Sequence, residues 1–348
     1  MKKISALALL AGVSALAHAQ SNVTVFGVLD VAARYTKNGD ENVKSLASNG
    51  AQTSRLGFRG VEDLGDGLKA GFWLETGLNP DTGSSSDSTR FWNRRSTVSL
   101  SSVSLGELRL GRDTTPTFNG YADYDVFGTN GVADASKFVN KLGTNVDTNL
   151  RADNLASYFL PGNIGGVYGQ VSAAAGEGVT GKKYYGGRIG YAAGPLDVSA
   201  SYAETTVSPL AGSGEDKYKL GSVAAAYDFK VVKVSGYVSQ AKYADEKLTI
   251  ANIGASVPVG PGAVRVSYVN ANASGHIPAG ASIENNDATQ LAVGYVWDLS
   301  KRTALYSTVA RVNNKYAANY VVDSNPALPS PNTGKDSTGF EVGIRHRF

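Results

Sequence analysis

From Val23 onward the chain alternates. In 22–36, Val23, Val25, Leu29, Val31, Ala33 and Tyr35 are interleaved with Thr24, Asp30 and Arg34. In 67–78, Leu68, Ala70, Phe72 and Leu74 alternate with Lys69, Gly71, Trp73 and Glu75. The pattern returns in 195–203 at Leu196, Val198, Ala200 and Tyr202, and in 287–298 at Leu291, Val293, Tyr295 and Trp297. Successive side chains of a strand point to opposite faces, so period two predicts strands with one apolar and one polar face. A soluble sandwich shows the same pattern, and the way the strands are joined separates the two.

The joins are asymmetric. Seven are short and turn-like, near 63–67, 102–106, 161–163, 194–195, 228–230, 258–262 and 298–300. Eight are polar and mostly longer, near 37–51, 79–89, 113–149, 176–181, 207–215, 243–246, 273–286 and 315–336. Seven turns and eight loops join sixteen strands, an even number whose first and last can pair. Short turns at one end and long loops at the other mark an outer-membrane barrel. At about sixteen strands such a barrel encloses water, whereas about eight would be filled by side chains. Closure also removes the edge strands that lipid cannot hydrate. The predicted fold is therefore all-β, a 16-stranded antiparallel transmembrane β-barrel.

Both ends of the chain carry signals. Residues 337–348, STGFEVGIRHRF, put Phe340, Val342, Ile344, His346 and Phe348 on one face. Glu341, Gly343, Arg345 and Arg347 fall on the other, assigned to the lumen, and Phe348 is the expected assembly signal. At the start, Lys2 and Lys3 precede an apolar stretch from Ile4 to Leu16 and the small-residue site Ala17-His18-Ala19. That is the grammar of a secretory signal peptide over 1–19, leaving the barrel at 20–348.

Composition narrows the function. Cysteine is absent and only His18, His276 and His346 occur, so neither a thiolate site nor an imidazole metal cluster is expected. No cofactor is implied. An outer-membrane hydrolase would need a nucleophile or acid coupled to histidine. His276 lies in a loop and His346 in the last strand, without a patterned partner. Removing Lys2 and Lys3 takes the basic count from 33 to 31 against 30 acids, which gives no reason to expect nucleic-acid binding. Gly-rich pieces such as GEGVTG at 176–181 have no following helix and no nucleotide motif.

Five segments then carry a resemblance: SNVTVFGVLD at 21–30, SRLGFRGVEDLGDGLKAGFWLE at 54–75, LGELRLGRD at 105–113, DLSKRTALY at 298–306 and VGIRHRF at 342–348. Over the whole mature chain the sequence resembles the general porins of Gram-negative outer membranes, most closely the betaproteobacterial branch. The resemblance implies a homotrimer in contact with outer-membrane lipid and inserted by the barrel-assembly machinery. It also implies an inward-folded third loop, 113–149, that narrows each pore.

The same resemblance implies the pore constriction. Its second-strand arginine matches Arg55, its fourth-strand arginine Arg95, and the sixth-strand arginine after loop three Arg151. Alternation sets each on the polar face, where a cation stays hydrated; on the lipid face it would cost about 2–4 kcal/mol at mid-depth. Arg59, Arg112 and Lys69 are expected on the lumen wall, and Asp123 and Asp125 of loop three on the opposing side, with Lys137 projecting into the lumen. One departure stands out: some enteric relatives carry a lysine after the first-strand aromatic-glycine pair, and here Phe26-Gly27 is followed by Val28. The implied function is a general diffusion channel for small hydrophilic solutes, preferring small anions. The alternative is a substrate-specific channel for an organic acid or sugar on the same barrel.

Overall fold

A computed structural model describes residues 22–211, 213–277, 280–323, 327–328 and 332–348. The proposed signal peptide at 1–19 lies outside the described residues. The sheet closes on itself as a cylinder of sixteen antiparallel strands. They are β1 (Asn22–Asn38), β2 in two segments (Glu41–Ser48 and Arg55–Gly65), β3 (Leu68–Asn79) and β4 (Arg95–Ser102). Then come β5 (Gly106–Thr114), β6 (Arg151–Phe159), β7 (Val167–Ala174), β8 (Tyr184–Ala193), β9 (Leu196–Val207) and β10 (Asp216–Asp228). The last six are β11 (Lys233–Tyr243), β12 (Glu246–Val259), β13 (Gly262–Ser274), β14 (Ala288–Asp298), β15 (Thr303–Asn314) and β16 (Ser337–Arg347).

Each strand pairs with its sequence neighbours, and β1 closes the cylinder against β16 from Val28↔Arg347 to Asn38↔Ser337. The backbones of Gly27 and Phe348 exchange both hydrogen bonds at 3.1 Å beyond that ladder. A Cβ on Gly27 would sit 2.3 Å from the Phe348 ring, so only glycine leaves that ring its place.

The outward face is the apolar one. Val98, Val171, Ile189, Val223 and Ile253 are each about 58–61% exposed, whereas their chain neighbours Thr97, Gln170 and Asn252 are buried. This inverts a soluble protein, as hydrocarbon solvation of the outer face requires. The hydrophobic core sits inside the cylinder, where the third loop packs Tyr121, Tyr124, Phe127, Val132 and Phe138 against inward Tyr218, Tyr237, Leu248, Ile250 and Val269.

The joins differ from expectation in one place. Segment 37–51 is not a long loop: β1 and β2 continue as a hairpin turned at Gly39-Asp40, followed by an irregular break at 49–54. The join at 243–246 is the short one marked in the sequence, turning at Ala244-Asp245. Both hairpins extend above the apolar band, where neither face must be apolar and period two disappears.

Candidate functional site

The third loop starts with α1 (Pro116–Ala122), whose N-cap Thr115 accepts a hydrogen bond from Phe118 N–H at 3.4 Å. Proline at the first helical position and a threonine cap fix this entry. The helix packs on the inner face of β8 to β11, and the rest of the loop crosses the lumen. Gly131 makes the crossing possible: its φ is +64°, and a Cβ there would lie 2.2 Å from the Glu341 carboxylate and 2.3 Å from the Gly50 carbonyl oxygen. Glu341 Oε1 in turn accepts the Val132 N–H at 3.3 Å.

The loop leaves a cavity of about 690 Å³ lined by Arg55, Arg94, Arg151, Arg265, Arg345 and Arg347 on the wall side. Asp123, Asp125 and Asp134 of the loop face them. Asp123 accepts from Arg188 at 2.5 Å, at the edge of a cluster in which Tyr124 and Tyr168 both donate to Asp197. Asp125 accepts the N–H groups of Phe127 at 3.0 Å and Thr129 at 3.1 Å, so it caps a loop turn and does not offer itself to solutes. Burial pushes its carboxyl up to about 6, and burial also raises Asp134. The Asp125 and Asp134 carboxylates are thus directed at the loop's own backbone N–H groups and not at passing solutes.

The wall arginines divide by their partners. Glu75 is a hub, receiving Arg94 at 2.5 Å, Arg55 at 3.7 Å and the Trp73 indole N–H at 3.1 Å. Arg95 lies one pair below Arg55 in the register, 3.6 Å from Asp113 and with its guanidinium 4.5 Å from the Trp73 ring centre. Arg59 lies over the same ring at 5.2 Å and over Phe26 at 5.3 Å. Arg109 is bracketed by Glu107 at 3.0 Å and Asp113 at 2.7 Å. Arg151 is half-buried, forms no ion pair among the described residues, and its Nε has no hydrogen-bond partner. Of the arginines proposed for the constriction, Arg55 and Arg151 line the cavity with Asp123 and Asp125, and Arg95 stands just outside it.

Three placements depart from the sequence expectations. Arg112 shares the parity of outward Leu108 and Leu110, and its guanidinium donates to Asn93 O at 2.7 Å and Asp153 at 2.5 Å. That ion cluster, with Arg90 and Lys182, is separate from the Arg95–Asp113 pair. Lys137 does not reach into open lumen, because its ammonium donates to the carbonyl oxygens of Val132 and Val322 and to Gln290 Oε1, pinning the loop to β14. Asp125 is a turn cap, as above. Lys69 is exposed on the inward face of β3 opposite Asp63 and Ser101. Arg94, Arg188 and Arg265 were not singled out from sequence. Arg94 adjoins Arg95, of which the motif selects one, while Arg188 and Arg265 meet the loop only through closure of the cylinder.

Comparisons with known proteins agree with the fold. Residues 6–317 match the family described as Gram-negative porin. Outer membrane porin protein 32 of Delftia acidovorans is 40% identical over 367 aligned residues, covering 100% of this chain and 99% of its own. An outer membrane porin protein of Bordetella pertussis is 30% identical with 100% of both chains covered. The solved structure of an anion-selective porin from Comamonas acidovorans superposes with a TM-score of 0.82 at 36% identity, covering 94% of this chain and 100% of that one.

Proposed function

The chain belongs to the Gram-negative porin family, and from that premise we propose that its lumen passes small hydrophilic solutes by diffusion and favours small anions. It is a barrel of the Gram-negative outer membrane. One observation carries the anion preference: six arginines line the narrow cavity, while the loop acids facing them are ion-paired or committed to backbone N–H groups. The constriction consists of Arg55 and Arg151 with Arg94 at the cavity and Arg95 as the rung beneath. Arg59 and Lys69 continue the basic wall away from it, and Asp123 marks the opposite side. No step of bond-breaking chemistry is needed, since selection by size and fixed charge biases a passive flux.

Assembly as a homotrimer, with Phe348 as the insertion signal, completes the proposal. The aromatic cluster of Phe58, Phe91 and Trp92 on the outer wall, exposed at Phe91, supports subunit contact. Planar-bilayer recording tests the filter. Exchanging Arg55 and Arg95 together for serine should raise conductance and shift the reversal potential toward cations. Lys44→Ser, on the external hairpin, should matter far less; an equal shift from Lys44→Ser would replace the arginine filter by a diffuse vestibule field.

A further inference from the structure

Loop three closes a second cavity, at the end of the barrel that carries the long loops. It holds about 440 Å³ and lies between residues 137–143 of that loop, the start of β12, and the segments that follow β13 and β15. The arginine-lined passage does not include it. Leu142, Leu248 and Ile283 give it an apolar side, while Lys141, Asn286 and Asn319 give it a polar one.

Glu246 is the unusual lining residue. It opens β12 directly after the turn at Ala244-Asp245, and alternation turns it inward together with Leu248 and Ile250. It is only 3% exposed, and its Oε1 is enclosed without a hydrogen-bond partner. Its carboxylate forms no ion pair among the described residues. Burying a carboxylate without a partner costs folding free energy.

The nearby polar groups do not supply that partner. Lys137 commits its three N–H groups to Val132 O, Val322 O and Gln290 Oε1. Asn140 donates to the Tyr320 hydroxyl at 3.1 Å and accepts the Leu142 N–H at 2.9 Å. Lys141 is exposed on the rim and forms no ion pair among the described residues. The cavity therefore presents one bare buried carboxylate and one open ammonium.

Those charges define what fits. A simple anion would meet the bare Glu246 carboxylate. A simple ammonium ion would satisfy Glu246 but add a third cation beside Lys137 and Lys141. A metal ion would need further ligands, and among the described residues no group of three carboxylates or imidazoles is placed to hold one. A zwitterion with an apolar body matches both charges and the apolar side, and the volume lies within the range of about 300–1,000 Å³ usual for small-molecule sites.

We propose that this cavity binds a small aliphatic α-amino acid, its ammonium on the Glu246 carboxylate, its carboxylate on Lys141 and its side chain against Leu142, Leu248 and Ile283. The ligand brings Glu246 the charged hydrogen bond that the chain itself withholds. The site stands apart from the arginine filter and does not depend on it.

The test uses the full folded protein in neutral detergent with three probes that share one aliphatic body: leucine, isopentylamine, which lacks the carboxylate, and isocaproate, which lacks the ammonium. Binding is titrated by saturation-transfer NMR, and the unfolding temperature is followed in parallel. Leucine should bind saturably, more tightly than either analogue, and raise the unfolding temperature. Glu246→Gln should weaken leucine roughly tenfold or more, yet unfold at a higher temperature than wild type without ligand, because the bare carboxylate is gone. Lys141→Gln, an exposed change that spares the fold, should weaken leucine roughly threefold and leave isopentylamine unaffected. Arg55→Ser with Arg95→Ser should bind leucine as wild type does, so that this site and the filter fail separately. Four results would each overturn the proposal: no saturable leucine binding, undiminished binding by Glu246→Gln or Lys141→Gln, equal loss in the double arginine variant, or either analogue binding as tightly as leucine.

Discussion

Arg151→Ser isolates one charge at the proposed constriction. The guanidinium lines the cavity, lacks an ion pair among the described residues and carries a fixed charge at working pH. An anion passing about 5 Å from it gains roughly 0.8 kcal/mol in a water-like medium and about 3 kcal/mol at an effective dielectric of 20. Screening at 0.15 M salt, with a Debye length near 8 Å, reduces these to about 0.4 and 1.8 kcal/mol. In a wet lumen the lower figure governs, which is about twofold in local anion occupancy. The same charge repels cations, so the chloride-to-potassium permeability ratio should fall about fourfold on replacement. At 1 M salt the Debye length is about 3 Å, and the change should shrink below about twofold. The assay is the reversal potential of the reconstituted protein across a potassium chloride gradient at both salt levels. Arg109→Ser is the control, since Arg109 is paired with Glu107 and Asp113 and stands outside the cavity. An unchanged ratio for Arg151→Ser, or an equal shift for Arg109→Ser, would refute the reasoning.

Three further outcomes are expected. Phe348→Ser and Gly27→Val should each lower the folded, heat-modifiable fraction in membranes, because both disturb the terminal ring packed on Gly27; undiminished folding of both would remove Phe348 as an assembly signal. Val98→Arg should cost folding about 2–4 kcal/mol as an outward mid-strand position, while inward Ser101→Arg, opposite Glu107, should be tolerated, as read by urea-dependent folding into vesicles. Asp125 has a raised carboxyl, so its neutral form favours the folded loop; that stabilisation is complete below about pH 4 and is lost as pH rises through about 6. Amide exchange across 125–129 should therefore quicken between pH 5 and 7.5 in wild type, beyond the intrinsic base-catalysed rise, by an amount worth about 1.4 kcal/mol. Asp125→Asn should flatten that dependence, and an identical pH profile in the variant would show that Asp125 is not its source.

The barrel was legible because lipid imposes a strict rule on every strand it touches. Val23, Val25 and Leu29, or Phe72 and Leu74, had to alternate with polar partners, and the short turns could be counted between them. Where lipid stops, the rule stops, and the hairpin at 41–48 read as loop although it pairs regularly with Val31–Asn38. The site was legible in part for a related reason. Parity set Arg55, Arg59 and Arg95 inward, but parity says nothing of what a side chain meets across the lumen. Arg112 was assigned to the lumen from its place at the mouth of loop three, although its parity with Leu108 and Leu110 already sets it outward. Asp125 and Lys137 escaped because a loop carries no period: their carboxylate and ammonium are consumed by loop backbone groups and, for Lys137, by the Gln290 side chain of the wall, which only the folded path brings near.

The seam between β1 and β16 has a kinetic consequence. Val31 and Ile344 are neighbours in space but more than three hundred residues apart along the chain, so this ladder has the greatest loop-closure entropy of any in the cylinder. Hairpins such as β12–β13 can zip locally, yet the first strand must wait with an open edge until the last has emerged. Contacts of such sequence separation form slowly, and waiting edges recruit foreign strands. The cylinder thus behaves as a clasp whose two halves are synthesised first and last. Interrupting the chain anywhere between them leaves not a smaller pore but a sheet with two adhesive margins.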